Sequence, residues 1–145
     1  MKFVAKYFGE LTTAELYEIL KSRAEVFFLE QKIFCLDMDD VDYKSRHCFI
    51  EDGGRVIAYL RAYFKDGDDT AVHMGRVLTL NHGMGHGARL MQESIADIKE
   101  SMKCERICLD SQKHAIGFYE KLGFCVVSDE FLEEGVVHVC MELVL

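Results

Sequence analysis

The residues whose types and order most directly suggest chemistry are His82-Gly83-Met84-Gly85-His86-Gly87. A strand-like run over 72–80 precedes them, and a segment with an apolar stripe of Leu90, Met91, Ile95, Ile98 and Met102 follows. In a strand, glycine turn and helix start of this kind, backbone N–H groups and the positive end of the helix dipole point at an anion. Glycines let the anion reach the backbone where side chains would block it. A plain helix start can use the same glycines, so the loop alone leaves anion binding and simple capping both open. Two nucleotide sites are disfavoured. No Gly-Lys followed by Ser or Thr is present, as a triphosphate loop requires. For a dinucleotide site, the acidic residue that would hold a ribose hydroxyl is misplaced, Asp110 lying about ten residues too far along.

The elements around this loop are read from turn residues and periodicity. Residues 2–8 alternate as a first strand. Thr12 and Glu15 form a capping box that starts a helix, and Leu16, Ile19, Leu20, Arg23 and Phe27 carry it at helical spacing to about Glu30. The acidic stretch 35–42 ends it. Runs at 46–51 and 55–64 joined by Asp52-Gly53-Gly54 predict a hairpin, and Asp66-Gly67-Asp68-Asp69 a second one into 70–80. After the glycine loop and its helix come a buried strand at 106–110 and a helix over 114–122 stopped by Gly123. A closing strand pair follows at 124–131 and 136–144. The strand, helix, strand unit from 72 to 110 predicts a parallel crossover, and the whole an α/β domain with a mixed sheet.

Composition limits the function classes. The chain has 145 residues and a net charge of -8, from 25 acidic against 17 basic residues. That size suits one domain, 1–145, and the acidic balance argues against nucleic acid, which needs a basic footprint. No apolar run is long enough to span a bilayer and the N-terminus lacks a cleavable leader pattern, so a cytoplasmic protein without membrane contact is expected. The six cysteines at 35, 48, 104, 108, 125 and 140 show no zinc spacing; they are expected to be reduced, with no metal bound.

Two stretches resemble the GNAT acyltransferases. The family's acyl-CoA loop has Gln or Arg, two residues, Gly, one residue, then Gly or Ala; here it is His82-Gly83-Met84-Gly85-His86-Gly87, followed by Ala88-Arg89-Leu90-Met91. His82 departs from the usual Gln or Arg. The second stretch, His114-Ala115-Ile116-Gly117-Phe118-Tyr119-Glu120-Lys121-Leu122-Gly123-Phe124, resembles the family helix with Phe-Tyr and Gly-Phe at this spacing. An ElaA-like branch is suggested by Arg23, Val26, Phe27, Glu30, Gln31, the aspartates 39, 40 and 42, His47, Ala58, Tyr59, Arg61, Gly75-Arg76-Val77 and Gly135-Val136-Val137-His138 with Met141. Two prolines expected in that branch, near Cys35 and before His138, are absent.

The resemblance implies a GNAT fold, a mixed and mostly antiparallel sheet of six to seven strands flanked by about four helices. It also implies acetyl-CoA as co-substrate and transfer of acetyl to a primary amine by direct attack in a ternary complex. The acceptor would be a small-molecule or peptide amine. The non-catalytic alternative is an acyl-CoA-binding sensor or partner protein of the same fold. CoA contacts are implied for Val77, Leu78, His82, Gly83, Met84, Gly85, His86, Gly87, Ala88, Ser111 and Tyr119. A bulge expected at Gly75 would let the backbone of Val77 and Leu78 hold the pantetheine arm and the acetyl oxygen. Tyr119 is the expected general acid, since a phenol can protonate the departing thiolate. The general base is expected among Glu30, His47, His73 and His138, with His47 and His138 favoured by the ElaA-like pattern. Arg61 and Arg76, on neighbouring rungs of one hairpin, want anions, with Glu30 or the aspartates at 37–42 the expected partners and recognition of an acidic group on the acceptor the alternative. An exposed edge on the last strand suits a homodimer.

Overall fold

The computed structural model describes residues 1–145. The chain runs β1 (Lys2–Tyr7), α1 (Thr13–Arg23), β2 (Arg46–Asp52), β3 (Arg55–Lys65), β4 (Asp68–Thr79), α2 (His86–Ser101), β5 (Arg106–Gln112), α3 (Ile116–Glu120), β6 (Cys125–Val126), β7 (Phe131–Glu133) and β8 (Val136–Val144). All strands share one sheet in the order β1-β2-β3-β4-β5-β8-β6, with β7 also paired to β8, so the last strand is interior and lacks the exposed edge expected of it. Every pairing is antiparallel except β4 with β5, which the α2 crossover makes parallel. The sheet has eight strands where six or seven were expected, because the run 124–131 breaks into two short pieces on β8. Three α-helices stand where about four were expected.

Local chemistry explains most of these elements. At the start of α1 the Glu15 backbone N–H donates to Thr12 Oγ1 (3.0 Å) and the Thr12 N–H to Glu15 Oε1 (2.8 Å), the reciprocal pair anticipated from Thr-x-x-Glu. The helix reaches Glu30 as expected, but residues Ala24–Glu30 wind as a wider π-type turn. Gly53-Gly54 closes the β2–β3 hairpin as a two-residue turn between Asp52 and Arg55.

The sheet separates two apolar layers. Ile19 and Val26, from α1 and its extension, pack with Val4, Phe49, Val56, Tyr59 and Leu78. Leu90, Met91 and Ile98 of α2 pack with Leu60, Met74, Ile107 and Leu109, joined by Tyr119 and Phe124. Burying a side chain of this size contributes about 1.5–3 kcal/mol, so the two layers hold the sheet rigid beneath the site. The cysteines are all free thiols. No helix is long and apolar enough to cross a membrane.

Candidate active site

A cleft opens where β4 and β5 part. Their parallel pairing runs from Ala71↔Arg106 to Met74↔Leu109 and stops, although β4 continues to Thr79 and β5 to Gln112. The cause lies on the other edge of β4. Tyr59 pairs with Leu78 but Arg61 with Gly75, so Arg76 and Val77 together oppose the single residue Leu60. This is a β-bulge, which bends its strand and re-aims its side chains. The bulge is where the sequence placed it to within a residue, but the left-handed conformation falls on Arg76 (φ 51), not Gly75. Holding a non-glycine residue there costs about 1–3 kcal/mol, and surrounding contacts must enforce it. Asp37 supplies two of them, accepting from Arg76 Nε at its carboxylate (2.8 Å) and from Nη2 at its carbonyl (3.0 Å). The resulting cleft has a volume of about 720 Å³.

The glycine loop lies beside the parted ends. Gly85 caps α2 with φ 78, a left-handed conformation that side chains disfavour. No side chain caps the helix and its first turn carries no acidic residue, so its N–H groups and dipole are open to an anion. Gly87 answers to a close approach: a Cβ there would lie 3.4 Å from Phe118 Cζ and 3.6 Å from Thr79 Cγ2. Met84 is exposed, Ala88 half-buried, and His86 is turned inward with Nδ1 unpartnered. His82 sits exposed, bonded through Nε2 to Glu30 Oε1 (2.6 Å) and through Nδ1 to Thr79 Oγ1 (3.3 Å). Val77 lies in the bulge and lines the cleft, while the Leu78 side chain is buried under α1 and can contribute only backbone. Ser111 needs a similar correction. Its side chain is buried and its hydroxyl donates to the Gln112 carbonyl (2.9 Å), which leaves its backbone alone for a ligand.

Tyr119 and His138 both line the cleft. Tyr119 is clamped edge-on between Phe118 (5.1 Å) and Phe124 (5.9 Å), and burial pushes its phenol up to about 12. A phenol so shifted stays protonated at neutral pH and can donate. His138 stacks on Phe131, and its Nδ1 lies 2.8 Å from the Val136 carbonyl. A carbonyl only accepts, so Nδ1 carries a proton and in the neutral ring the lone pair is on Nε2, which lies 3.7 Å from Glu133. That is the tautomer a general base needs. His73 also lines the cleft, beside Tyr63, with burial holding it below the usual imidazole range.

Two base candidates are corrected. His47 is fully buried; Nδ1 meets the Tyr59 hydroxyl (2.7 Å) and Nε2 the Asp42 carbonyl (2.9 Å). Both nitrogens are occupied away from the cleft, so it is a structural histidine. Glu30 is engaged by His82 and does not line the main cleft itself, bordering instead a recess that adjoins the cleft along Gln112 and His114.

The acidic run forms an ion network along one cleft wall. Arg61 makes a bidentate pair with Asp39 (2.8 and 2.7 Å) and reaches Asp42 (3.2 Å). Arg76 holds Asp37, so the aspartates and not Glu30 are the partners. The third cation is Arg23, which belongs to the helix stripe and to the ElaA-like pattern but to which the sequence assigns no role. Its guanidinium is wholly buried and bonds Asp37 (2.8 Å) and Asp42 (2.7 Å). A cation on an apolar helix stripe, with an acidic run ahead, was the available signal. The Arg61 hydrogen bonds hold Asp39 down to about 2. Burial raises Asp42, but the bond and charge of Arg23, with the charge of Arg61, outweigh it and leave it low.

A splayed β4–β5 pair beside an uncapped glycine-rich helix start, with a phenol at the split, defines an acyl-CoA-dependent transferase. The chain belongs to the acetyltransferase (GNAT) domain family, whose model matches residues 16–145. It lies in the ElaA-like branch and is an acetyl-CoA-dependent acetyltransferase. A UPF0039 protein of Schizosaccharomyces pombe is 34% identical over 149 aligned positions, covering 100% of this chain and 98% of that protein. Protein ElaA of Escherichia coli is 30% identical over 139 positions, 92% of this chain and 90% of its own. The crystal structure of Escherichia coli ElaA superposes with a TM-score of 0.91 over 98% of both chains at 27% identity. That of an acyl-CoA N-acyltransferase from Pseudomonas aeruginosa does so with 0.89 over 99% of both at 29%.

Proposed function

We propose that this chain moves the acetyl group of acetyl-CoA to a primary amine by direct attack within a ternary complex. The observation that carries this reading is that Tyr119 and His138 open into one cleft created by the parting of β4 from β5. The diphosphate rests on the first turn of α2, and the pantetheine arm runs along the bulged end of β4 to bring the thioester to the split. His138 Nε2 removes a proton from the amine, and the nitrogen lone pair attacks the carbonyl carbon. The Val77 backbone N–H meets the developing oxyanion, a contact worth about 3 kcal/mol in such sites. As the carbon–sulfur bond breaks, Tyr119 gives its proton to the thiolate and later recovers one from solvent. An acceptor panel with acetyl-CoA tests this. Free thiol and acetylated amine should appear in equal amounts; thiol release that no amine accelerates would refute it.

A further inference from the structure

The charges and apolar groups lining the cleft narrow the class of acceptor, on the assumption that acetyl transfer takes place there. We infer that the acceptor is a primary amine with an apolar body and no carboxylate.

The cations on the cleft wall are already matched. Arg23, Arg61 and Arg76 stand against Asp37, Asp39 and Asp42, three charges of each sign within hydrogen-bond reach. Side-chain exposure is 0% for Arg23 and 3% for Arg61. Arg61 Nε has no partner, but the atom is buried and the charge of its guanidinium is already shared by Asp39 and Asp42. Arg76 alone is partly exposed, and Asp37 and Asp39 already share its charge.

The spare charge in the cleft is negative. Asp110 and Glu134 line it without an ion pair or side-chain hydrogen bond, and Glu133 has only His138 nearby. A carboxylate on the acceptor would meet like charge with no unpaired arginine or lysine in the cleft lining to offset it, whereas an ammonium group arriving at the cleft meets opposite charge. Phe27, Phe28, Ile33, Leu36 and Val136 line the same cleft, with Phe28 50% and Leu36 77% exposed. Apolar area left in water beside a binding cleft favours a ligand that covers it.

The test compares 2-phenylethylamine, phenylalanine and ethylamine as acceptors, with rates expressed per neutral amine. Phenylalanine differs from the first by its carboxylate, ethylamine by its ring. The expected kcat/KM for 2-phenylethylamine exceeds each of the others by about tenfold or more. In an Asp110→Asn, Glu134→Gln double variant the advantage over phenylalanine should shrink to about threefold or less, with acetyl-CoA affinity unchanged. Phenylalanine used as well as 2-phenylethylamine, or an advantage that survives the double variant, would overturn the inference. Turnover with the wrong ranking sinks only the acceptor class. Binding of acetyl-CoA with no amine acetylated sinks the transfer reading and this inference with it.

Discussion

Replacing Arg23 by Met removes a fully buried guanidinium while keeping the stem that packs in the α1 layer. Asp42, 12% exposed at its side chain, then keeps Arg61 alone, and Asp37 keeps Arg76. Breaking a buried pair from one side costs about 3–5 kcal/mol, since the remaining charge stays desolvated. Over 145 residues that corresponds to a fall in Tm of about 10–16 °C. The loss should depend on pH in a definite direction. Asp42 is held below the ordinary carboxylate range in the folded protein, so its contribution is complete above its unfolded value and lost as pH falls. Without Arg23, burial dominates and Asp42 rises. The gap between wild type and variant is therefore largest near pH 7 and narrows in acid, where a protonated Asp42 needs no cation. Urea unfolding at pH 7 and about pH 4 measures both effects. Because Asp37 lines the cleft, KM for the amine should rise while acetyl-CoA affinity holds. A loss under about 1 kcal/mol, or one equal at both pH values, would refute the reasoning.

Gly87→Val should weaken acetyl-CoA binding by about tenfold in calorimetry, since branches beyond a Cβ already 3.4 Å from Phe118 displace the ring or the helix start. Asp39→Asn should flatten the acid limb of stability. The wild-type carboxylate, held down to about 2 by Arg61, gives up its contribution as pH falls towards that value, so the wild-type Tm should drop more steeply than the variant's below about pH 4. His138→Ala should lower kcat/KM by about 10²-fold or more and recover in part with added imidazole; His47→Gln should lower stability and show no such rescue.

What was legible in the sequence is what short-range chemistry decides. The Thr12–Glu15 box, the Gly53-Gly54 turn, the α2 stripe and the glycine loop each depend on residues a few positions apart. The bulge at Arg76–Val77 was approximated from a glycine in a β-branched run, but its placement depends on the register of β3 and on Asp37, thirty-nine positions away. The run 124–131 looked like one strand because pattern alone cannot show that β8 accepts it in two pieces. His47 and His138 looked alike as strand histidines. Tyr59 and the Asp42 carbonyl occupy both nitrogens of the first, while the second, also largely buried, faces the cleft with one nitrogen on a carbonyl, distinctions of tertiary structure only.

Initial rates with both substrates varied, for wild type and Tyr119→Phe, test the central claim most directly. The account predicts intersecting lines, as a ternary complex requires, and a kcat lowered about 10²-fold in the variant with acetyl-CoA affinity unchanged. Parallel lines, or a Tyr119→Phe variant with the wild-type kcat, would contradict it.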